Sequence, residues 1–194
     1  MVEYLAVSSR PSSPSAKAQK NKTKGEKMKR KTKSHLAILR VSRGGVIAAL
    51  YIALTHLAAL LGLASGVIQF RISEALCVLA IVLPEAIPAL AVGCFVANLT
   101  TGCLILDVVF GSAATLIGAV GAYLLKKAPT WVATLPTVLA NAVIVPFVLM
   151  FVYKLEGGYI FFFATVAIGE LACATVLGTI LAKSLKKTHI FANM

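Results

Sequence analysis

The stretch Val67-Ile68-Gln69-Phe70-Arg71-Ile72-Ser73-Glu74-Ala75-Leu76-Cys77-Val78-Leu79-Ala80-Ile81-Val82-Leu83-Pro84-Glu85-Ala86-Ile87-Pro88-Ala89-Leu90-Ala91-Val92-Gly93-Cys94-Phe95-Val96-Ala97-Asn98-Leu99-Thr100-Thr101 decides the fold. It is too long for one membrane-crossing helix of about 20 residues and short for two. Pro84 and Pro88 break its middle, since proline removes a backbone donor and clashes with the preceding turn. Its neighbours are simpler. Residues 44–63, 104–125, 130–152 and 159–182 are each apolar and long enough to span a bilayer.

Charge chooses between one crossing and two. With a single crossing, Lys126-Lys127 and the group Lys183, Lys186 and Lys187 lie on the opposite side from the basic N-terminus. With two, all three basic groups share the cytoplasmic side, as the positive-inside rule requires. The sequence therefore predicts an all-α integral membrane protein of six transmembrane helices, near 44–63, 72–83, 86–100, 104–125, 130–152 and 159–182. Both termini are cytoplasmic. The second helix, about 12 residues with roughly 18 Å of rise, has to be short, tilted or extended by the segment before it.

Composition agrees. Of 194 residues 59% are hydrophobic and 13% charged, yet the net charge is +12. The charge is uneven, because 12 of the 19 Lys and Arg lie in residues 1–43. A basic tail joined to a very apolar body excludes a soluble globular enzyme and a disulfide-stapled secreted domain. Residues 1–34, rich in Ser, Pro, Lys, Asn and Thr, bury too little to offset their ordering entropy, so this segment is expected to be disordered. Its Lys27-Met28-Lys29-Arg30-Lys31-Thr32-Lys33 run suits anionic lipid and cytoplasmic retention better than nucleic acid. Met28, followed by basic residues and then the first span, is a second candidate start. The apolar stretch after it is too long for a signal peptide.

Cys77, Cys94, Cys103 and Cys173 form no C-x-x-C pair, and His35, His56 and His189 are scattered, so no metal site is expected. A P-loop run is absent. An intramembrane hydrolase lacks adjacent carboxylates, paired histidines or a nucleophile motif to work with.

Ionisable groups within a bilayer cost about 2.5–3.5 kcal/mol each and are kept for a partner, a cavity or a ligand. Arg71, Glu74, Asp107 and Glu170, with the amides Gln69, Asn98 and Asn141, are the candidates. The six-helix topology puts them in the outer half and the middle, with Glu170 about 16 Å from the outer end of its helix. Thr134, Thr137 and Asn141 share one helix face, as do Asp107, Gly111 and Thr115. This describes a pocket opening outward. An Arg71–Glu74 pair leaves Asp107 and Glu170 for a ligand with several N–H donors or a cation. Interhelical hydrogen bonding is the competing role for Asn98 and Asn141. Glu85, between two prolines, reads as an interfacial residue. On the first helix Ala48, Ala49, Ala53 and Ala58 offer a small-residue surface, with Ala49 and Ala53 four apart.

Several short strings in order resemble the QueT family of queuosine-precursor transporters. They are Ile68 to Leu76, Pro84 to Leu90, Gly93 to Leu99, Asp107 to Ser112, Leu135-Pro136-Thr137 through Asn141-Ala142, and Ile168-Gly169-Glu170. The resemblance covers about residues 44–185 and departs from the expected pattern at Ala89 and Thr137. It implies a substrate-binding S component of an energy-coupling factor (ECF) transporter in a bacterial cell membrane. Its partners are then a transmembrane T component, met through Ala49 and Ala53, and two ATPase subunits that use the ATP. The chain itself needs no cofactor. The implied cargo is a 7-deazaguanine such as 7-aminomethyl-7-deazaguanine. Glu74, Asp107 and Glu170 would make the charged contacts, and Gln69, Asn98 and Asn141 the hydrogen bonds. Arg71 would orient Glu74 or close the loop. The domain plan is a tail over 1–43, a six-helix substrate-binding domain over 44–185 and a short cytoplasmic tail over 186–194. An S component for another vitamin or nucleobase, or a stand-alone carrier, are the alternative readings.

Overall fold

A computed structural model describes residues 16–63 and 69–187, with side chains from residue 34 onward. The first described helix, α1, runs Ala16–Leu60. A 3-10 helix follows at Ile72–Ile81, then α2 (Ala86–Thr100), α3 (Ile105–Leu124) and α4 (Thr130–Phe147). A π segment, Val148–Val152, continues α4. The last rod joins α5 (Tyr159–Glu170), a second π segment (Leu171–Leu177) and α6 (Gly178–Lys187).

The chain divides into two units, residues 1–39 and 40–194. In the first unit, helix begins at Ala16, inside the segment expected to be disordered. Lys is the commonest residue from there to residue 39, followed by Ala, and both favour helix even without a core to cover. The disorder expected for 1–15 and the tail beyond Lys187 lie outside the described residues.

In the second unit, the apolar runs become helices close to their expected bounds. Four stretches are long and apolar enough to cross a membrane: Ser34–Leu60, Ile105–Leu124, Thr130–Val152 and Tyr159–Lys187. Ile72–Ile81 and Ala86–Thr100 are shorter. The expected helix at 72–83 is instead a 3-10 helix ending at Ile81. At about 2.0 Å per residue it covers roughly 20 Å, so the tighter winding gives ten residues more reach than an α-helix. Its three-residue turn stacks Glu74, Cys77 and Ala80 on one face, and none of the three has exposed surface.

Large side chains such as Leu50, Val92, Ile105, Ile117, Leu139 and Ile160 face outward, while Glu74, Thr115, Asn141 and Glu170 are buried. Apolar outside and polar within is the arrangement a lipid environment favours. One core joins Ile47 and Tyr51 of α1 to Leu76, Cys77 and Ala80, and to Leu90, Cys94 and Ala97 of α2. A second joins Val145 and Leu149 to Phe162 and Val166. Close approach of α3 to α4 depends on glycine. A Cβ on Gly118 would fall 2.7 Å from Thr137 Cα, and one on Gly121 would collide with Pro136.

Candidate functional site

A cavity of about 370 Å³ opens where the end of α1, residues 69–73, the turn between α2 and α3, and the end of α4 meet. A volume of this order suits a small organic molecule. Gln69, Arg71, Asn98 and Asp107 lie on its wall, four of the seven residues singled out from sequence. Glu74, Asn141 and Glu170 do not line it and are fully or almost fully buried.

Asp107 is the third residue of α3, where the positive end of the helix favours a carboxylate. It is 6% exposed. Tyr153 donates its hydroxyl proton to Asp107 Oδ2 at 2.9 Å and accepts from the Leu104 backbone N–H at 3.4 Å. The phenol thus ties the segment after α4 to the start of α3. Burial, and then the bond to Asp107, push the Tyr153 pKa above its ordinary value, which keeps the hydroxyl a donor.

Arg71 Nη2 stands 3.8 Å from Asp107 Oδ1. This corrects the expected Arg71–Glu74 pair. Arg71 caps the 3-10 helix with φ −92 and ψ 80, outside helical space, so it does not share a face with Glu74 three residues on. Glu74 has other partners. Oε1 accepts from the Tyr51 hydroxyl at 2.6 Å and the Thr115 hydroxyl at 2.7 Å, and Oε2 from the Cys77 thiol at 3.0 Å. Its carboxyl group therefore joins α1, the 3-10 helix and α3 in the interior.

Glu170 and Asn141 are different again. Asn141 Nδ2 donates to the Thr137 carbonyl at 3.2 Å, while Asn141 Oδ1, Thr137 Oγ1 and Glu170 Oε2 are buried with no partner. Glu170 ends α5 where the π segment begins, and such irregular turns recur at functional sites. Thr134 uses its hydroxyl on the Trp131 carbonyl and on Thr175. Asn98 Nδ2 lies 3.6 Å from Cys94 Sγ, and Gly111 brings Asn98, Arg71 and Asp107 together.

Sequence reasoning missed Tyr51, Thr55, Ser73 and Tyr153 on the wall. Thr55 donates to Ser73 Oγ at 2.9 Å, bridging α1 to the 3-10 helix. The signal for Tyr51 and Thr55 was present: they are polar residues at i and i+4 in the apolar stretch 44–63, and they share a helix face with the buried Ile47 and Ala58. Tyr153 had only its place at the end of a span, where aromatic residues gather for many reasons.

Seventeen residues before the end of α1, Arg43 Nη1 lies 3.6 Å from Glu85 Oε1, at the start of α2. Ala49 and Ala53 are exposed, but Ala58 is buried and Ala48 half-buried, so the small-residue surface is narrower than expected. All four cysteines are free thiols, and no cluster of His, Cys, Asp and Glu suited to a metal ion occurs among the described residues.

No curated protein and no solved structure matches the chain. One family does, described as QueT transporter, over residues 41–187. That range holds most of the membrane-spanning part of α1, every described helix after it and the whole cavity wall, and the chain belongs to the QueT transporter family.

Proposed function

We propose that this multi-pass membrane protein is the substrate-capture subunit of an ATP-driven ECF transporter in a bacterial cell membrane. Its cargo is a queuosine precursor, 7-aminomethyl-7-deazaguanine or a related deazapurine. The observation that carries the reading is Asp107, held on a cavity wall by Tyr153 in a chain of this transporter family. The cargo has a cationic arm and a guanine-like N–H edge. A carboxylate and a set of amides are the acceptors such a molecule needs.

Asp107 takes the cationic arm. Gln69 and Asn98 bond the ring edge from the wall, with Arg71 beside them. Glu170 and Asn141 each hold a buried oxygen without a partner, an acceptor for N–H donors that reach further in. Glu74 supports the site by orienting Tyr51.

The domain covers 44–185, with a cytoplasmic tail over 1–43 and another over 186–194, and the chain passes six times through the bilayer with both ends in the cytoplasm. The cavity draws on successive chain reversals at one end, and Arg43 meets Glu85 at the other, which supports alternating passes. Lys126, Lys127, Lys183, Lys186 and Lys187 then share the cytoplasmic side. The exposed Ala49 and Ala53 meet the T component, which carries two ATPase subunits. ATP is used there, and this chain holds no cofactor.

Thermal-shift and equilibrium binding on the detergent-purified full chain test the cargo. 7-Aminomethyl-7-deazaguanine is expected to stabilise the wild type, and Asp107→Asn is expected to abolish most of that effect. Stabilisation by another vitamin or base, with none by deazapurines, would move the protein to a different cargo. Co-purification without any ATPase module would favour a stand-alone carrier.

A further inference from the structure

Two features of the cavity wall do not follow from the proposed cargo. The first is the looseness of the Arg71–Asp107 pair. A guanidinium committed to a carboxylate grips it through two parallel bonds at about 2.7–2.9 Å. Here Nη2 and Oδ1 are 3.8 Å apart, an ion-pair distance beyond hydrogen bonding. Oδ2 is engaged by Tyr153, so Oδ1 is the oxygen with room for a closer donor.

The second feature is Gly111. A Cβ there would lie 2.9 Å from Asn98 Nδ2, 3.5 Å from Arg71 Nη1 and 3.6 Å from Asp107 Oδ1. Three polar groups from three elements meet over the one residue type that leaves space among them. Arg71 itself sits outside the helical register, and its side chain is 15% exposed.

We infer that Arg71 is an internal counter-cation, which a cationic ligand displaces from Asp107 Oδ1, so that Arg71 sets the preference of the cavity for cationic over neutral ligands. This rests on the proposed reading only for the identity of the ligand. A compact ammonium reaches Oδ1 at hydrogen-bond distance, closer than the guanidinium stands. A neutral ligand of the same shape gains nothing from Asp107 and leaves Arg71 where it is. Arg71 therefore lowers affinity for cations relative to neutral molecules, and its removal should sharpen the discrimination.

The test compares 7-aminomethyl-7-deazaguanine with its neutral 7-cyano analogue on the full chain, as wild type, Arg71→Met, Asp107→Asn and the double variant. Arg71→Met is expected to raise the cation-to-neutral affinity ratio at least fivefold. Asp107→Asn, which leaves the Arg71 charge uncompensated, should collapse the ratio, and adding Arg71→Met to it should bring the ratio back toward, and not above, the wild-type value. A ratio that stays flat or falls in Arg71→Met, with both compounds binding, overturns the inference.

Cys103 supplies a readout that needs no cargo. It lies on the cavity wall and is half-buried, whereas Cys77, Cys94 and Cys173 are buried. The rate of its modification by a cationic aminoethyl thiosulfonate, relative to a neutral methyl one, should rise at least threefold in Arg71→Met and return to the wild-type value in the double variant. A flat rate ratio overturns the inference whatever the deazapurines do. A raised ratio with no deazapurine binding to the wild type overturns only the cargo reading.

Discussion

Glu74 and Asp107 are both buried carboxyl groups on neighbouring elements, yet their surroundings differ in kind. Around Glu74 the interior supplies three donors from α1, the 3-10 helix and α3, and no surface is exposed. Around Asp107 there is a cavity, one hydrogen bond and an arginine standing too far off to donate. A satisfied carboxyl group in an apolar interior acts as a fastener. One left with an open oxygen beside a cavity is available to a ligand. Charge and location in the chain do not separate the two roles, but the count of occupied lone pairs does.

The largest expected effect strikes the fastener. Glu74→Leu strands the Tyr51 and Thr115 hydroxyls and the Cys77 thiol, at about 1–3 kcal/mol for each unsatisfied buried group. Detergent-solubilised Glu74→Leu should unfold at much lower temperature or aggregate on purification. Glu74→Gln, which keeps an acceptor and lets the hydroxyls reorient, should recover most of the stability. If Glu74→Leu is stable and merely fails to bind, the contrast with Asp107 is wrong.

Asp107→Asn is the converse. A charge-assisted hydrogen bond contributes about 1.5–3 kcal/mol, so the affinity for a cationic deazapurine should fall about 10- to 100-fold. Thermal unfolding without ligand should change little. Equal loss for the neutral analogue would place the ring edge, not the cationic arm, against this residue.

Gly118→Ala sharpens the comparison by disturbing neither carboxyl group. The new methyl meets the Thr137 backbone, and overpacking of this kind costs about 1–3 kcal/mol. Unfolding temperature should drop while ligand affinity stays near wild type. A parallel loss of affinity would mean that α3–α4 packing sets the cavity shape.

Tyr153→Phe is the mildest change. It removes one neutral donor, so affinity should fall about three- to tenfold, the scale of roughly 1 kcal/mol. The pH dependence has a definite sign. Because the folded pKa is raised, the Tyr153 contribution is fully present below the ordinary phenol value of about 10 and is lost as pH climbs through the raised value. Wild type and Tyr153→Phe should differ by a constant factor through neutral pH and converge only in strong alkali.

Some of this was readable in advance. The break at Pro84 and Pro88 marked the start of α2, and the apolar run after Pro129 marked α4 with its continuation to Val152. Asp107, Gly111 and Thr115 were correctly set on one face of α3, since helical spacing alone decides that. The partner of Arg71 was not readable. Spacing suggested Glu74 three residues on, but the non-helical backbone at residue 71 cancels that neighbour relation, and a residue 36 positions further along the chain takes its place.

The same boundary runs through the whole protein. Hydropathy and prolines were enough for the helical class, the approximate limits of α2, α3 and α4, and the presence of polar groups that a membrane protein must have a reason to keep. Those are local or summed properties, legible one segment at a time. Which carboxyl group is saturated and which is open, that residues 72–81 wind as a 3-10 helix, and that Tyr153 reaches back to Asp107 were decided only by the folded chain. Each depends on what donors arrive from distant segments, and packing geometry alone sets those meetings.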